Sequence, residues 1–148
     1  TPARAAATAA AVGDLLPALV LPDLDGRSVA LGEAWRGRRL LLNVWASWCR
    51  PCREEMPALD RFARRQGPQG VQVVGIALDT PDNVRAYLQR VPVAYPQLLA
   101  SPGPADASVQ LGDSRGLLPY SVLVGADGRI ERQKLGPLSS EELERWLQ

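Results

Sequence analysis

Two cysteines separated by two residues carry the most evident chemistry of this sequence. They are Cys49 and Cys52, in the segment WCRPC. A thiolate attacks a disulfide and forms a mixed disulfide, so a pair at this spacing can pass a disulfide to or from a partner. Because the chain has no other cysteine, an internal disulfide can join only these two. The motif therefore predicts a redox site.

The types of the neighbouring residues favour attack by Cys49. If a helix begins at Cys49, its free N–H groups and partial positive charge stabilise the thiolate and lower the pKa of the thiol. Arg50 adds a positive charge, and Pro51 suits the first helical turn, where its missing N–H costs little. We expect Cys49 to attack a substrate disulfide and Cys52, one turn deeper, to resolve the mixed disulfide.

The flanking sequence predicts the elements that this arrangement needs. Residues 39–45 (RLLLNVW) are apolar apart from Asn43 and the leading arginine, which is typical of a strand buried on both faces. After Cys49, apolar residues recur every three to four positions and form the stripe of a helix that ends before Gly67-Pro68: Met56, Leu59, Phe62 and Ala63. The cysteines therefore lie where a buried strand meets a helix.

Other uses of two cysteines stay open at this point. A structural disulfide that closes so short a loop contributes only about 2 kcal/mol, against ~4.7 kcal/mol for a long loop. Two thiolates can also bind Cu(I). The chain has no histidine, which excludes Ser-His-Asp and Cys-His catalysis and haem attachment through C-x-x-C-H. Two cysteines are too few for a structural zinc site, so we expect no metal and no cofactor beyond the cysteine pair.

The rest of the sequence predicts an α/β fold with a mixed sheet and helices on both faces. The predicted strands and loops are a hairpin over 19–31, a buried strand over 71–78, a short strand over 95–100, a loop over 101–108 and a hairpin over 120–135. A helix is predicted from Thr80-Pro81 to about Arg90, and its apolar side carries Val84, Tyr87, Leu88 and Val91. A last helix follows a capping box of Ser139 and Glu142, with Leu138 and Leu143 as its hydrophobic staple.

Length and charge bound the organisation of the chain. At 148 residues it suits one domain, and the net charge of +1 gives no reason to expect a nucleic-acid partner. No apolar run approaches the roughly 18 residues that a membrane span requires. Residues 1–12 contain seven alanines, which predicts a linker or the tail of a removed targeting or anchor segment, and residues 13–148 then form a single domain.

Three segments resemble one family closely. From Gly13 onward the sequence resembles the thioredoxin superfamily and, within it, the TlpA/ResA/CcmG (DsbE) branch of extracytoplasmic thiol–disulfide oxidoreductases. The similar segments are LLLNVWASWCRPCREEMPAL (40–59), GIALDT (75–80) and LLPYSVLVGADGRI (117–130). The resemblance implies a thioredoxin-like fold with a central mixed β-sheet, an N-terminal β-hairpin, and an inserted helix-and-strand unit before a cis-proline.

The resemblance also implies roles for individual residues. Glu55 corresponds to an active-site acid of this branch and would transfer a proton at Cys52, because Asn43 stands where thioredoxin has its acid and cannot relay one. The alternative is that Glu55 or Glu54 only places a favourable carboxylate near the start of the helix. The Leu118-Pro119 bond is expected to be cis. The implied substrate contacts are Trp48, Arg50, Pro51, Leu118, Pro119 and Tyr120, whereas Trp45 is expected in the core.

The function implied by the resemblance is reduction of protein disulfides in the periplasm or at the outer surface. The expected partners are protein thiols or disulfides, as in cytochrome c maturation or copper-site assembly, and a membrane electron donor of the DsbD or CcdA kind. Such proteins are commonly membrane-tethered, and we expect a monomer. The alternatives are a disulfide-introducing oxidant and a Cu(I)-binding module, although Sco-type modules use C-x-x-x-C and a histidine. A peroxiredoxin-type peroxidase would need a proline that the segment before Cys49 lacks.

Overall fold

A five-stranded mixed sheet forms the centre of the molecule. The computed structural model describes residues 9–147, with the sheet order β5-β4-β3-β6-β7. The central strand β3 pairs in parallel with β4 and antiparallel with β6. The strands are β1 (Val20–Pro22), β2 (Ser28–Ala30), β3 (Leu40–Trp45), β4 (Gln72–Leu78), β5 (Gln97–Ala100), β6 (Tyr120–Val124) and β7 (Ile130–Leu135). Strands β1 and β2 form the predicted N-terminal hairpin.

The helices cover both faces of the sheet, as predicted, but unequally. They are α1 (Leu31–Ala34), α2 (Arg50–Arg65), α3 (Pro81–Arg90), α4 (Ala107–Gln110) and α5 (Ser140–Trp146). In the sheet, β4 lies beside β3, and β5 lies beside β4 on the side away from β3. Because the two parallel crossovers advance toward the same edge and are both right-handed, their helices α2 and α3 lie on one face of the sheet. Helix α5 packs against α2 on that face. The other face is covered by the hairpin, α1 and α4.

Local signals in the sequence set the helix boundaries. Helix α3 begins after Thr80, whose hydroxyl accepts a hydrogen bond from the N–H of Asn83 at 3.2 Å. Helix α5 begins with the predicted capping box of Ser139 and Glu142, in which each side chain accepts from the other residue's N–H. The two staple residues of that helix, Leu138 and Leu143, are both buried in one apolar cluster. These predictions are confirmed.

Three details differ from the predictions. The end of the predicted loop over 101–108 enters the short helix α4. Val91 is exposed rather than on the apolar side of α3, because the helix ends at Arg90. The contacts of the domain begin within the predicted linker: the N–H of Ala10 donates to the carbonyl of Gln110 at 3.1 Å. Residues 1–8 of that linker lie outside the described residues.

Between residues 9 and 147, no helix combines the length and the apolar character that crossing a membrane requires.

Candidate active site

The two cysteines form a disulfide at the start of α2, with their Cα atoms 5.3 Å apart. Cys49 is the N-cap residue of the helix, and its Sγ accepts a hydrogen bond from the N–H of Cys52 at 3.3 Å. Cys49 is the cysteine that reaches solvent: it is 5% exposed, whereas Cys52 is 0% exposed. The helix N-terminus therefore acts on the more accessible sulfur, as the motif predicts.

The surface beside the pair combines apolar and charged side chains. Trp48 is 69% exposed, so it does not pack into the core beside the cysteines but projects next to them. Arg50 and Pro51 are exposed in the first turn of α2, and Arg50 Nε contacts the Glu54 carboxylate at 3.2 Å. These side chains are available to a partner that approaches Cys49.

The Leu118-Pro119 peptide bond is cis, as the resemblance implies. Leu118 is half-buried and packs against the apolar cluster that contains both cysteines. Leu117, which sequence reasoning did not single out, is exposed at the same loop. Pro119 is buried and directly precedes β6. This loop is therefore the second wall of the candidate site.

Tyr120 is not part of the site, and the prediction that it lines the substrate groove is wrong. Its side chain is buried in the cluster on the opposite face of the sheet, and its hydroxyl donates to the carbonyl of Leu111 at 3.1 Å. Side chains alternate along a strand, and Tyr120 pairs with Val44 of β3, which faces that same side. A residue directly after Pro119 therefore points away from the cysteines.

Glu55 is a buried acid on α2, three residues after Cys52 and so on the same side of the helix. Its Oε1 accepts a hydrogen bond from Asn43 Nδ2 at 2.8 Å, and its Oε2 accepts from the N–H of Leu138 at 2.6 Å. Burial raises the pKa of Glu55 to about 7, although these hydrogen bonds and the charge of Lys134 act to lower it. The group can therefore take up and release a proton near neutral pH.

The neighbouring Glu54 has a different environment. It is exposed and paired with Arg50, one helical turn earlier. A carboxylate in this position suits the helix dipole and the adjacent arginine, but it has no buried contact. Of the two glutamates, only Glu55 is buried, and burial raises its pKa to about 7.

A row of five residues crosses the whole sheet beneath α2. The strand registers align one residue from each strand, and residues aligned in this way point to the same face. We call this set the polar row: Lys134, Ser121, Asn43, Gly75 and Gln97. Asn43 Nδ2 donates to Ser121 Oγ at 3.0 Å as well as to Glu55. The polar row thus supplies the donor that holds the buried acid.

The glycine of the polar row makes space for a polar side chain. A Cβ on Gly75 would lie 2.1 Å from Gln97 Oε1, so no other residue fits there without displacing the Gln97 amide. That oxygen accepts a hydrogen bond from Trp45 Nε1 at 2.8 Å, and Trp45 is in the core as predicted. From the sequence, only Asn43 is noticeable, as a polar residue within an apolar run. The other members of the polar row are identified by the strand registers, which place them in line with Asn43.

Comparisons with known proteins agree with this geometry. The family model described as Redoxin matches residues 11–147. The chain is 30% identical over 144 residues to the thiol-disulfide oxidoreductase ResA of Geobacillus thermodenitrificans, an alignment that covers 95% of this chain and 79% of that protein.

Two solved structures are similar along most of their length. A thioredoxin-related protein from Neisseria meningitidis serogroup B superposes with a TM-score of 0.76 at 30% identity, over 86% of this chain and 95% of that one. A putative thiol:disulfide interchange protein DsbE from Chlorobium tepidum superposes with a TM-score of 0.79 at 26% identity, over 94% of this chain and 96% of that one.

Proposed function

The chain belongs to the Redoxin family, as a thiol–disulfide oxidoreductase of its TlpA/ResA/CcmG branch, and from this membership we propose that it reduces disulfides of partner proteins outside the cytoplasm. The observation that supports this proposal most directly is the unequal exposure of the two sulfurs. Cys49 reaches the surface at a helix N-terminus, whereas Cys52 is fully enclosed. A partner disulfide can therefore meet only one of the two thiols.

The first step is attack by the Cys49 thiolate on a sulfur of the partner's disulfide. A Cys49–partner disulfide forms, the partner's own S–S bond breaks, and the other partner sulfur leaves as a thiolate. The helix N-terminus stabilises the attacking thiolate. Trp48, Arg50, Pro51 and the Leu118-Pro119 loop contact the partner chain around the reacting sulfur.

The second step is resolution by Cys52. Its thiol gives a proton to the carboxylate of Glu55, and the resulting thiolate attacks Cys49 Sγ. The Cys49–Cys52 disulfide forms, the mixed disulfide breaks, and the partner leaves with both sulfurs reduced. A carboxyl whose pKa is about 7 suits this transfer, because it is substantially ionised at neutral pH and still a competent proton acceptor.

The cycle requires two electrons from outside the chain. We propose that a membrane electron donor of the DsbD or CcdA kind reduces the Cys49–Cys52 disulfide, and that the cysteine pair needs no further cofactor. The partners are proteins whose thiols must stay reduced, as in cytochrome c maturation or copper-site assembly. The protein acts as a monomer in the periplasm or at the outer surface.

Trapping experiments test the roles of the two cysteines. Cys49→Ser should abolish turnover, because the accessible nucleophile is lost. Cys52→Ser should instead accumulate mixed disulfides with oxidised substrates, detectable as adducts by mass spectrometry. Cys52→Ser protein treated with a reductant should release these adducts. If both variants kept full activity, this mechanism would be wrong.

The reduction potential tests the proposed direction. It is measured by equilibrating the pair with dithiothreitol and glutathione buffers and counting alkylated thiols by mass. A value near that of thioredoxin, about −270 mV, supports a reductase. A value near about −120 mV would make the protein an oxidant that introduces disulfides.

A further inference from the structure

The carboxylate of Asp79, at the end of β4, accepts four hydrogen bonds that join two segments. Its Oδ2 accepts from the N–H of Ser47 at 2.8 Å and from Ser47 Oγ at 2.5 Å. Its Oδ1 accepts from the N–H of Thr80 at 2.7 Å and from Asn83 Nδ2 at 3.0 Å. Ser47 belongs to the loop before the cysteines, and Thr80 and Asn83 belong to the start of α3. One side chain therefore ties the loop before the cysteines to the start of α3.

Ser47 is also held from its other side. Arg53 Nη1, on α2, donates to the carbonyl of Ser47 at 2.8 Å. The N–H of Cys49 donates to the carbonyl of Ala46 at 3.1 Å and closes a tight turn over 46–49. The residue between these fixed points is Trp48, which is exposed. The backbone of Trp48 is thus anchored on both sides while its side chain reaches into solvent.

The charge on Asp79 makes these contacts stronger than hydrogen bonds between neutral groups. Partial burial alone would raise the pKa of Asp79, but the hydrogen bonds from Ser47, Asn83 and Thr80 outweigh it and hold the pKa below the ordinary value. The side chain is therefore ionised at neutral pH, and each bond to it is charge-assisted. An anchor of this kind restricts the loop without any contact to the sulfurs.

We propose that Asp79 is a positioning residue that presents Trp48 beside Cys49 for docking of a partner protein, acting through Ser47. The proposal rests on the proposed function, because the docked partner is a protein that carries a disulfide. Holding the backbone of Trp48 in one place before binding lowers the entropy that docking must remove. A small disulfide has no polypeptide chain around its sulfurs that could pack against the indole, so it should gain little from the anchor. The anchor should therefore act on protein substrates selectively.

The test compares two substrates in steady-state kinetics, with dithiothreitol as the electron source and its direct reaction with each substrate subtracted. One is a synthetic peptide with a single intramolecular disulfide flanked by apolar residues, and the other is hydroxyethyl disulfide. Asp79→Ala should raise KM for the peptide by about tenfold, which is about 1.4 kcal/mol of docking free energy, because the loop that carries Trp48 is no longer fixed before binding. Turnover of the small disulfide should fall by less than about twofold. The reduction potential of the cysteine pair should stay that of the parent protein.

Thr80→Ala is the matched control. It removes the side-chain cap of α3 but leaves both bonds from Ser47 to Asp79, so KM for the peptide should stay unchanged. Ser47→Ala, which keeps the backbone bond, should give a smaller rise in KM than Asp79→Ala. Asp79→Asn, which keeps one acceptor oxygen, should recover part of the loss. Ser47→Ala and Asp79→Asn also carry the test if Asp79→Ala does not fold.

Three results would overturn the proposal. A rise in KM with Thr80→Ala as large as with Asp79→Ala would mean that Asp79 acts by supporting α3. An unchanged KM in every variant at Ser47 and Asp79 would remove the docking role, and an equal loss with both substrates would place the effect at the sulfurs. Failure of the proposed function looks different, because the parent protein would then not reduce the peptide at all.

Discussion

The two faces of the central sheet are built on different principles. On the face toward the hairpin, side chains from all five strands form one apolar cluster, and Leu42 lies fully buried near its centre. On the face toward α2, the polar row crosses the same strands and holds the buried acid Glu55. Both faces come from the same strands, because successive residues of a strand point to opposite sides.

Both faces bury apolar clusters, and the face toward α2 adds the polar row and the buried acid to them. Apolar burial stabilises the hairpin side without any need for matched donors and acceptors. The α2 side contains polar groups whose burial is costly unless they are hydrogen-bonded. Burial there also raises the pKa of the Glu55 carboxyl, because it disfavours the charged form. We infer that the apolar face supports the fold while the polar row adjusts the proton affinity beside the cysteines. Changes on the two faces should therefore have different signatures.

The largest expected effect is on stability and comes from the apolar face. Leu42→Ala should lower the free energy of unfolding by about 2–5 kcal/mol, because it removes buried methyl groups and leaves a cavity. Chemical denaturation measures this change. The reduction potential of the folded variant should stay unchanged. Val20→Ala, at an exposed position of β1, is the control and should change the free energy by less than about 0.5 kcal/mol.

The next effect is a pH dependence that belongs to Glu55. In the oxidised protein, where the thiols do not titrate, the folded pKa of about 7 lies above the value of an unfolded glutamate. The folded state then binds the proton more tightly, so this group makes the protein less stable as pH rises from about 4.5 to 7. Glu55→Gln should remove up to about 3 kcal/mol of that loss, measured by denaturation at pH 5 and pH 8.

The same variant tests the proton transfer. In the reduced protein, Glu55→Gln should shift the pH dependence of cysteine alkylation, because the buried acid no longer exchanges a proton near Cys52. Glu54→Gln is the matched control, since its carboxylate is exposed and paired with Arg50. An alkylation profile identical to that of the parent protein would assign Glu55 a structural role only.

A smaller effect tests the boundary between the faces. Tyr120→Phe should cost about 1 kcal/mol of stability, since the hydroxyl loses its bond to the Leu111 carbonyl. Because Tyr120 faces the hairpin side, KM for a disulfide peptide should not change. A substantial rise in KM would show that Tyr120 reaches the substrate after all, and would contradict the separation of the faces.

The smallest effect concerns the end of the polar row. Lys134, the only lysine of the chain, contacts the Glu142 carboxylate, and its charge lowers the pKa of Glu55. Lys134→Met should therefore raise the pKa of Glu55 above about 7, and carbon NMR of the labelled carboxyl can follow it. Lys134→Arg keeps the charge and should leave the pKa near that of the parent protein. A lower pKa in Lys134→Met would contradict the assigned sign.

The sequence by itself determined the features that depend on neighbours along the chain. The spacing of Cys49 and Cys52 at a helix start, the capping residues Thr80 and Ser139, and the alternation of strands and helices all follow from local backbone chemistry. The resemblance added a role for Glu55 and the cis bond before Pro119, which no local pattern indicates; the structure shows the cis bond and a buried Glu55.

Only the tertiary structure decided the features that join distant segments. The polar row takes one residue from each of five strands, so it exists only through the strand registers. The direction of Tyr120 depends on which face β6 presents to the core, and the bond between Asp79 and Ser47 spans 32 positions. Such contacts depend on how the chain packs, and packing brings together residues whose separation in sequence carries no signal of their meeting.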